Sequence, residues 1–249
     1  MNISKEQIEK ALCDLLRLRV AINAIPSIRI QCPNHPREYT ASEADQLILV
    51  FCRHSLRTLY YAKNVLDHLL NLEAIQDDAD IGHVIVVPVR DEVFFDFDAF
   101  VFSAKSIFSQ TMLKRADALH KDAAATFRQL AFQAKRNLID PLLNNVRNEI
   151  VHLNVYGSSI GSVAMLTNLG DRWGVQIFTT FYTGDGKEVD LIELFLQIFN
   201  PTQQLIMQIL SVFLVHLFKN YGKPEKDLRY VSDGGEIRLS DYPVPGVSF

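Results

Sequence analysis

The chain has 249 residues, 48% of them hydrophobic and 22% charged, which is enough apolar material for one large soluble domain or a domain with a small appendage. Its formal net charge of -4 argues against a dedicated binder of long duplex DNA, because neutralising a phosphate backbone usually leaves a basic signature over the whole domain. Three widely spaced cysteines (Cys13, Cys32, Cys52) do not make a disulfide framework and fit a reducing cytoplasm.

Ser4 and Gln7 form a capping-box pattern, and Ile8, Leu12, Leu15, Leu16, Val20 and Ile22 then recur at helical spacing, so a first helix is expected to about Ala24. The opening residues lack the apolar core of a signal peptide, so no export is expected. Pro26, Pro33 and Pro36 punctuate a predicted loop that contains His35. His35 and Cys32 have Cys-x-x-His spacing, but no second ligand pair accompanies them, so no metal is expected. Thr40 and Glu43 repeat the capping-box signal before a second long helix running through Leu47, Leu56, Leu59, Val65 and Leu72. It carries Arg53, His54 and Arg57, a basic patch that extends an RNA cleft or is simply solvated.

Residues 84–89 are a β-rich string whose Pro88 restricts it to an edge or an extended connection. An aromatic-rich helix is expected over 92–116, its Phe94, Phe95, Phe97, Phe100, Phe102 and Phe108 read as core rather than as a platform for stacked bases. The next helix is expected over 122–138, followed at Asp140-Pro141 by an N-cap and a fresh start or kink, with Gly157 and Gly161 ending that element. The period then switches to that of strands. Residues 163–184, with a turn at Gly170-Asp171, predict a β-hairpin inserted between helical regions. One or two helices follow over 189–221, bent or broken near Pro201; the apolar stretch 191–218 is interrupted by polar residues and reads as a buried helix, partly an oligomer surface, rather than a membrane span. The segment 222–249, rich in Gly, Pro and Asp, predicts an irregular tail that wraps a single domain over 1–221 or is partly disordered.

Charge is unevenly distributed. Residues 103–152 hold eight Lys/Arg against four acids, a local balance of +4, whereas 73–98 hold eight acids and only Arg90. Within the basic stretch lies Arg147-Asn148-Glu149-Ile150-Val151-His152, a permanent cation with a planar donor fork, an amide and an imidazole that exchanges a proton near neutrality. On a helix, Ile139, Leu142, Leu143, Val146 and Ile150 fall on one core-facing side, with Asn145, Asn148 and His152 nearly opposite. Arg147 falls about 140° from His152, at the edge of the core stripe, so a two-fold dimer would help complete a shared cleft.

This Arg-Asn-x-x-x-His pattern resembles the signature of the HEPN superfamily, the higher eukaryotes and prokaryotes nucleotide-binding domains. The resemblance implies a mainly α, up-and-down helical bundle, here carrying the inserted hairpin and additional C-terminal helices. It also implies a cytoplasmic, metal-independent endoribonuclease of the defence or toxin-antitoxin kind, without cofactor, built as a homodimer. In that scheme Arg147, Asn148 and His152 are catalytic: His152 moves the ribose 2'-hydroxyl proton or protonates the leaving oxygen, Arg147 stabilises charge on the phosphorane, and Asn148 orients one of them. Arg53, Arg57, Lys135 and Arg136 are the candidate RNA contacts, and an antitoxin or other protein is a further expected partner. One subgroup of the family carries a modified tyrosine two residues after the histidine; position 154 here is Asn154 and the nearest tyrosine is Tyr156, so that scheme does not carry over. The alternatives are a non-catalytic nucleotide- or RNA-binding or protein-interaction module, or a purely structural role in which Arg147 pairs with Glu149 and His152 caps a helix. Neither Gly-x-x-x-x-Gly-Lys nor Gly-x-Ser-x-Gly occurs, which removes the commonest phosphate-loop and serine-hydrolase chemistries.

Overall fold

In the computed structural model the described residues are 5–36, 42–74, 86–88, 91–107, 110–147, 163–168, 173–178, 180–182 and 188–244. They form a mainly α protein of six helices with short strands and a small C-terminal β-hairpin. Helix α1 (Lys5–Ile30) does not end near Ala24 but continues through Pro26. Proline inside a helix costs about 3 kcal/mol. The turns on either side bury Ile22, Ile25 and Ile28 at 1%, 2% and 4% exposure, each contributing roughly 1.5–3 kcal/mol. Burial therefore outweighs the local penalty. Ser4, the expected cap of α1, lies outside the described residues.

Helix α2 (Glu43–Ala74) starts from a different box than Thr40/Glu43. Thr40 lies outside the described residues; Ser42 Oγ accepts from Asp45 N at 3.2 Å, and Asp45 Oδ2 accepts from Ser42 N at 3.1 Å. The Asp45 carboxylate is 1% exposed and also binds the Arg29 guanidinium at 3.0 Å, which ties the end of α1 to the start of α2.

The expected aromatic helix is divided. Helix α3 (Asp91–Ser106) packs on α2, and a shorter α4 (Gln110–Arg115) leads into a 3-10 turn, Ala116–Ala118. Phe97 and Phe100 are fully buried, as a core stripe requires, but Phe95 and Phe102 are exposed. Six phenylalanines over so short a stretch cannot all face one side of a helix. Phe108 lies outside the described residues. Helix α5 (Lys121–Ala134) is capped by His120, whose Nδ1 accepts from Asp122 N at 3.4 Å, and runs directly into a π-helical stretch, Lys135–Leu143, followed by a last α-helical turn over 144–147. Asp140-Pro141 therefore begins no new helix. Pro141 cannot donate a backbone hydrogen bond, and the wider turn, with Asn144 N–H reaching back five residues to the Ile139 carbonyl, accommodates its ring without ending the helix.

Helix α6 (Leu191–Tyr221) is a single element through Pro201. The carbonyl that Pro201 leaves without its usual donor belongs to the exposed Gln197, while the next residue, Thr202, donates its hydroxyl to the Ile198 carbonyl at 2.7 Å. By length and composition α6 could cross a membrane, yet 61% of its apolar window is buried inside the protein. Phe213 sits at the centre of this core, edge-on to Phe51 of α2 at 5.2 Å and stacked near Phe127 of α5 at 6.2 Å. Gly222, at φ +79°, closes the helix: its N–H bonds the Phe218 carbonyl at 3.0 Å in the left-handed conformation that glycine adopts without strain.

Strand β1 (Val86–Pro88) is the edge of a three-stranded antiparallel sheet, in keeping with Pro88. β2 (Val163–Asn168) and β3 (Trp173–Phe178) pair from Asn168↔Trp173 to Val163↔Phe178, as the inserted hairpin requires. The remainder of that segment differs from expectation, since β4 (Thr180–Tyr182) turns away to pair with β5 (Glu188–Asp190). Gly170-Asp171 lies outside the described residues, as do Gly157 and Gly161. The tail is not irregular over 222–244. β6 (Arg229–Ser232) and β7 (Gly235–Arg238) form a hairpin around Asp233-Gly234 that packs on α1, with Ile237 and Leu239 buried. Beyond it Tyr242, 2% exposed, donates its hydroxyl to the Ala21 carbonyl at 2.5 Å. Its buried apolar and aromatic side chains pack this segment against α1, as a tail wrapping the domain requires.

Candidate functional site: a cationic cavity beside Arg147

The amphipathic spacing of α5 buries Ala123, Phe127, Leu130 and Ala134, continued by Leu138 of the π-helical stretch, and turns the opposite face outward. That outward face carries Arg128, Phe132, Lys135 and, beyond the π-helical stretch, Arg147. Across from it stand Phe102, Lys105 and Ser106 at the end of α3 and Leu113 of α4, enclosing a cavity of about 710 Å³. That volume is ordinary for a small-molecule or nucleotide site. Leu143 and Val146 are buried while Arg147 is half-buried, which places Arg147 at the border of the core stripe as the helical wheel required.

Among the described residues, four cations and one carboxylate, Asp140, line the space. Arg128 is paired with Asp117. Among the described residues, Lys105, Lys135 and Arg147 form no ion pair with a carboxylate. Arg147 instead lies with its guanidinium carbon 5.8 Å from the centroid of the Phe102 ring, a contact worth about 0.5–1 kcal/mol that steers the donor fork without consuming it. Asp140 Oδ1 accepts from Asn144 Nδ2 at 3.1 Å. The local field therefore favours an anion.

Asn148 and His152 lie outside the described residues, so of the expected catalytic trio the geometry covers Arg147 alone. Of the expected RNA contacts, Lys135 lines the cavity and Arg136 is exposed beside it without lining it. Arg53 and Arg57 are exposed on α2, where Arg57 lies over the Tyr61 ring at 5.9 Å. Between them His54 connects this patch to the cavity rim, because its Nδ1 meets Ser106 Oγ at 3.2 Å. The Ser106 hydroxyl has one proton and directs it to the Ser103 carbonyl at 2.6 Å, so His54 Nδ1 is the donor in that contact. Burial, then the charges of Arg57 and Arg53, hold the imidazole below its ordinary value of 6.5.

Lys105 and Phe132 were not singled out by the sequence reading. The only signal for Lys105 was the basic run over 103–152, and an isolated exposed phenylalanine has no sequence signature at all. Among the described residues no group of three or more His, Cys, Asp and Glu is placed to hold a metal. His35 packs edge-on against Tyr221 at 5.4 Å. Burial pushes the Cys32 thiol to about 11 and the Cys52 thiol to about 12, so both are protonated near neutrality and poor nucleophiles. All three cysteines are unbridged, Cys13 alone being exposed.

One half-buried acid lies outside the cavity lining. Asp98 of α3 is raised by burial from 3.8 to about 6, and its Oδ1 has no hydrogen-bond partner among the described residues. A carboxyl raised in the folded state binds more protons folded than unfolded, so its contribution falls as pH rises from 3.8 to about 6 and stays unfavourable above that. The full shift corresponds to roughly 3 kcal/mol, and water screening of a half-buried group reduces this to about 1 kcal/mol. Asp98→Asn is accordingly expected to raise the urea midpoint at pH 8 and to lose that advantage as pH drops from 6 toward 4; a gain independent of pH would contradict this account.

No protein-family model, curated protein sequence or solved structure matches the chain.

Proposed function

We propose that the chain is a helical RNA-binding protein that cleaves RNA without a metal, in the manner of HEPN-type nucleases. The observation that supports it is the convergence of Lys105, Lys135 and Arg147 on one cavity, with none of them neutralised by a carboxylate among the described residues. A phosphodiester placed there meets a bidentate guanidinium and two ammonium groups, the charge distribution that lowers the cost of a dianionic phosphorane. In the proposed reaction the ribose 2'-oxygen attacks phosphorus, His152 takes its proton, and the P–O5' bond breaks as the imidazolium returns a proton to the leaving oxygen. The products are a 2',3'-cyclic phosphate and a 5'-hydroxyl. A second copy of the chain supplies a facing Arg147/His152 pair, which shortens the reach of each arginine around its own helix.

Incubation of purified protein with RNA in excess chelator, comparing the native chain with His152→Ala, tests this reading. Native protein is expected to leave 2',3'-cyclic phosphate ends and the variant none. Equal cleavage by both, or none by either, removes the enzyme. The non-catalytic reading, an RNA- or nucleotide-binding module, is favoured by the same cavity, because its cations and aromatic walls need no histidine to hold a phosphate.

A further inference from the structure

The cavity has a second chemistry that phosphate binding leaves unused. Phe132 is 66% exposed and Phe102 is 40% exposed, and both line the same space as the three cations. Large aromatic surface left open to water is costly, about 25 cal/mol for each Å² that a ligand could cover. Six aromatic rings along α3, α5 and α6 avoid this cost, Phe97, Phe100, Phe127, Phe195, Phe199 and Phe213 each being at most 2% exposed, whereas Phe95 of α3 is open to water outside the cavity. Phe102 already presents one face to a cation, since Arg147 lies over it. A planar guanidinium on a phenyl ring together with a second open ring is an arrangement onto which a flat heterocycle stacks.

We infer that the cavity is a subsite for one unstacked nucleotide of single-stranded RNA, with the base against Phe132 and the Phe102–Arg147 pair and the flanking phosphates on Lys105 and Lys135. This rests on the proposed RNA-binding reading and adds the substrate's form, a base turned out of any helix. A duplex cannot present that face, because its bases are stacked on one another. The volume of about 710 Å³ admits a nucleotide with water to spare. Asp140, the one carboxylate lining the cavity among the described residues, can accept from a donor on a base edge.

Binding, not cleavage, tests the subsite, so that its fate is separable from that of the nuclease. The probe is a labelled single-stranded 2'-O-methyl oligonucleotide, which lacks the attacking hydroxyl, measured over a series of matched ionic strengths beside an abasic oligonucleotide and a duplex of equal length. Phe132→Ala is expected to weaken the base-bearing single strand by about tenfold or more while leaving the abasic strand and the duplex unchanged, and Phe132→Trp is expected to retain binding. Lys135→Ala is expected to weaken all three probes alike and to flatten the salt dependence by about one unit of slope. Phe132 is exposed, so these variants do not disturb the core. Equal binding by native protein and Phe132→Ala, an equal loss on abasic strands, or an effect of Phe132→Ala on self-association alone overturns the inference. No cleavage by the native protein, or equal cleavage by native protein and His152→Ala, with this pattern intact removes the nuclease and leaves the subsite standing.

Discussion

Arg147→Ala is expected to slow RNA cleavage by about 10²–10³-fold, the cost of removing one preorganised donor from a developing oxyanion. The folded state is expected to lose less than about 1 kcal/mol, because the contact given up is one cation–π pair on a half-buried side chain. Single-turnover cleavage at saturating protein, paired with a urea melt of the same samples, separates the two effects. Arg147→Lys preserves the charge but not the planar fork, and it should recover only part of the rate. A rate unchanged by Arg147→Ala removes this residue from the chemistry, whatever the remaining cations do.

Phe213→Ala is expected to produce the largest loss of stability, about 3–5 kcal/mol. Phe213 is fully buried where α2, α5 and α6 meet and touches both Phe51 and Phe127, so truncation empties a volume that three helices cannot close together. In a protein with roughly 5–15 kcal/mol to lose, that lowers the melting temperature by about 10 °C. Calorimetry reads it directly. Phe132→Ala, by contrast, should shift the melt hardly at all, and similar shifts for both variants would contradict the burial described for Phe213.

The sequence made the helices legible where burial and periodicity agree. The body of α2 follows its run of leucines, and the edge position of β1 follows from Pro88. Pro26 was misleading because a local rule competed with packing, whereas one helix running through Pro201 is among the arrangements expected there. Pro26 and Pro201 sit inside long helices because the neighbouring turns bury enough isoleucine, leucine and phenylalanine to offset a lost hydrogen bond, and Pro141 survives through a change of helical type. The start of α2 was misplaced because Thr40/Glu43 and Ser42/Asp45 both satisfy a capping pattern, and the second is engaged by Arg29 from another helix. The β6–β7 hairpin was hidden in a segment read by composition, although Asp233-Gly234 is a turn signal flanked by Val231 and Ile237. At the site the basic run over 103–152 was visible, but which of its cations share a cavity depends on how α3 folds back toward α5, a long-range fact. Phe102 illustrates the limit: helical spacing turns it away from the buried Phe97/Phe100 stripe, but only the approach of α5 and Arg147 makes it a cavity wall.

The π-helical stretch Lys135–Leu143 acts as a phase setting for the site. A π turn holds more chain per revolution than an α turn, so the azimuth of every residue beyond it depends on that surplus. Were the stretch one residue shorter and regular, each downstream side chain would swing by about 100° around the axis, carrying Arg147 off the wall it shares with Lys135. Chain length between the two cations, as much as their identity, is therefore what aligns them on a single anion.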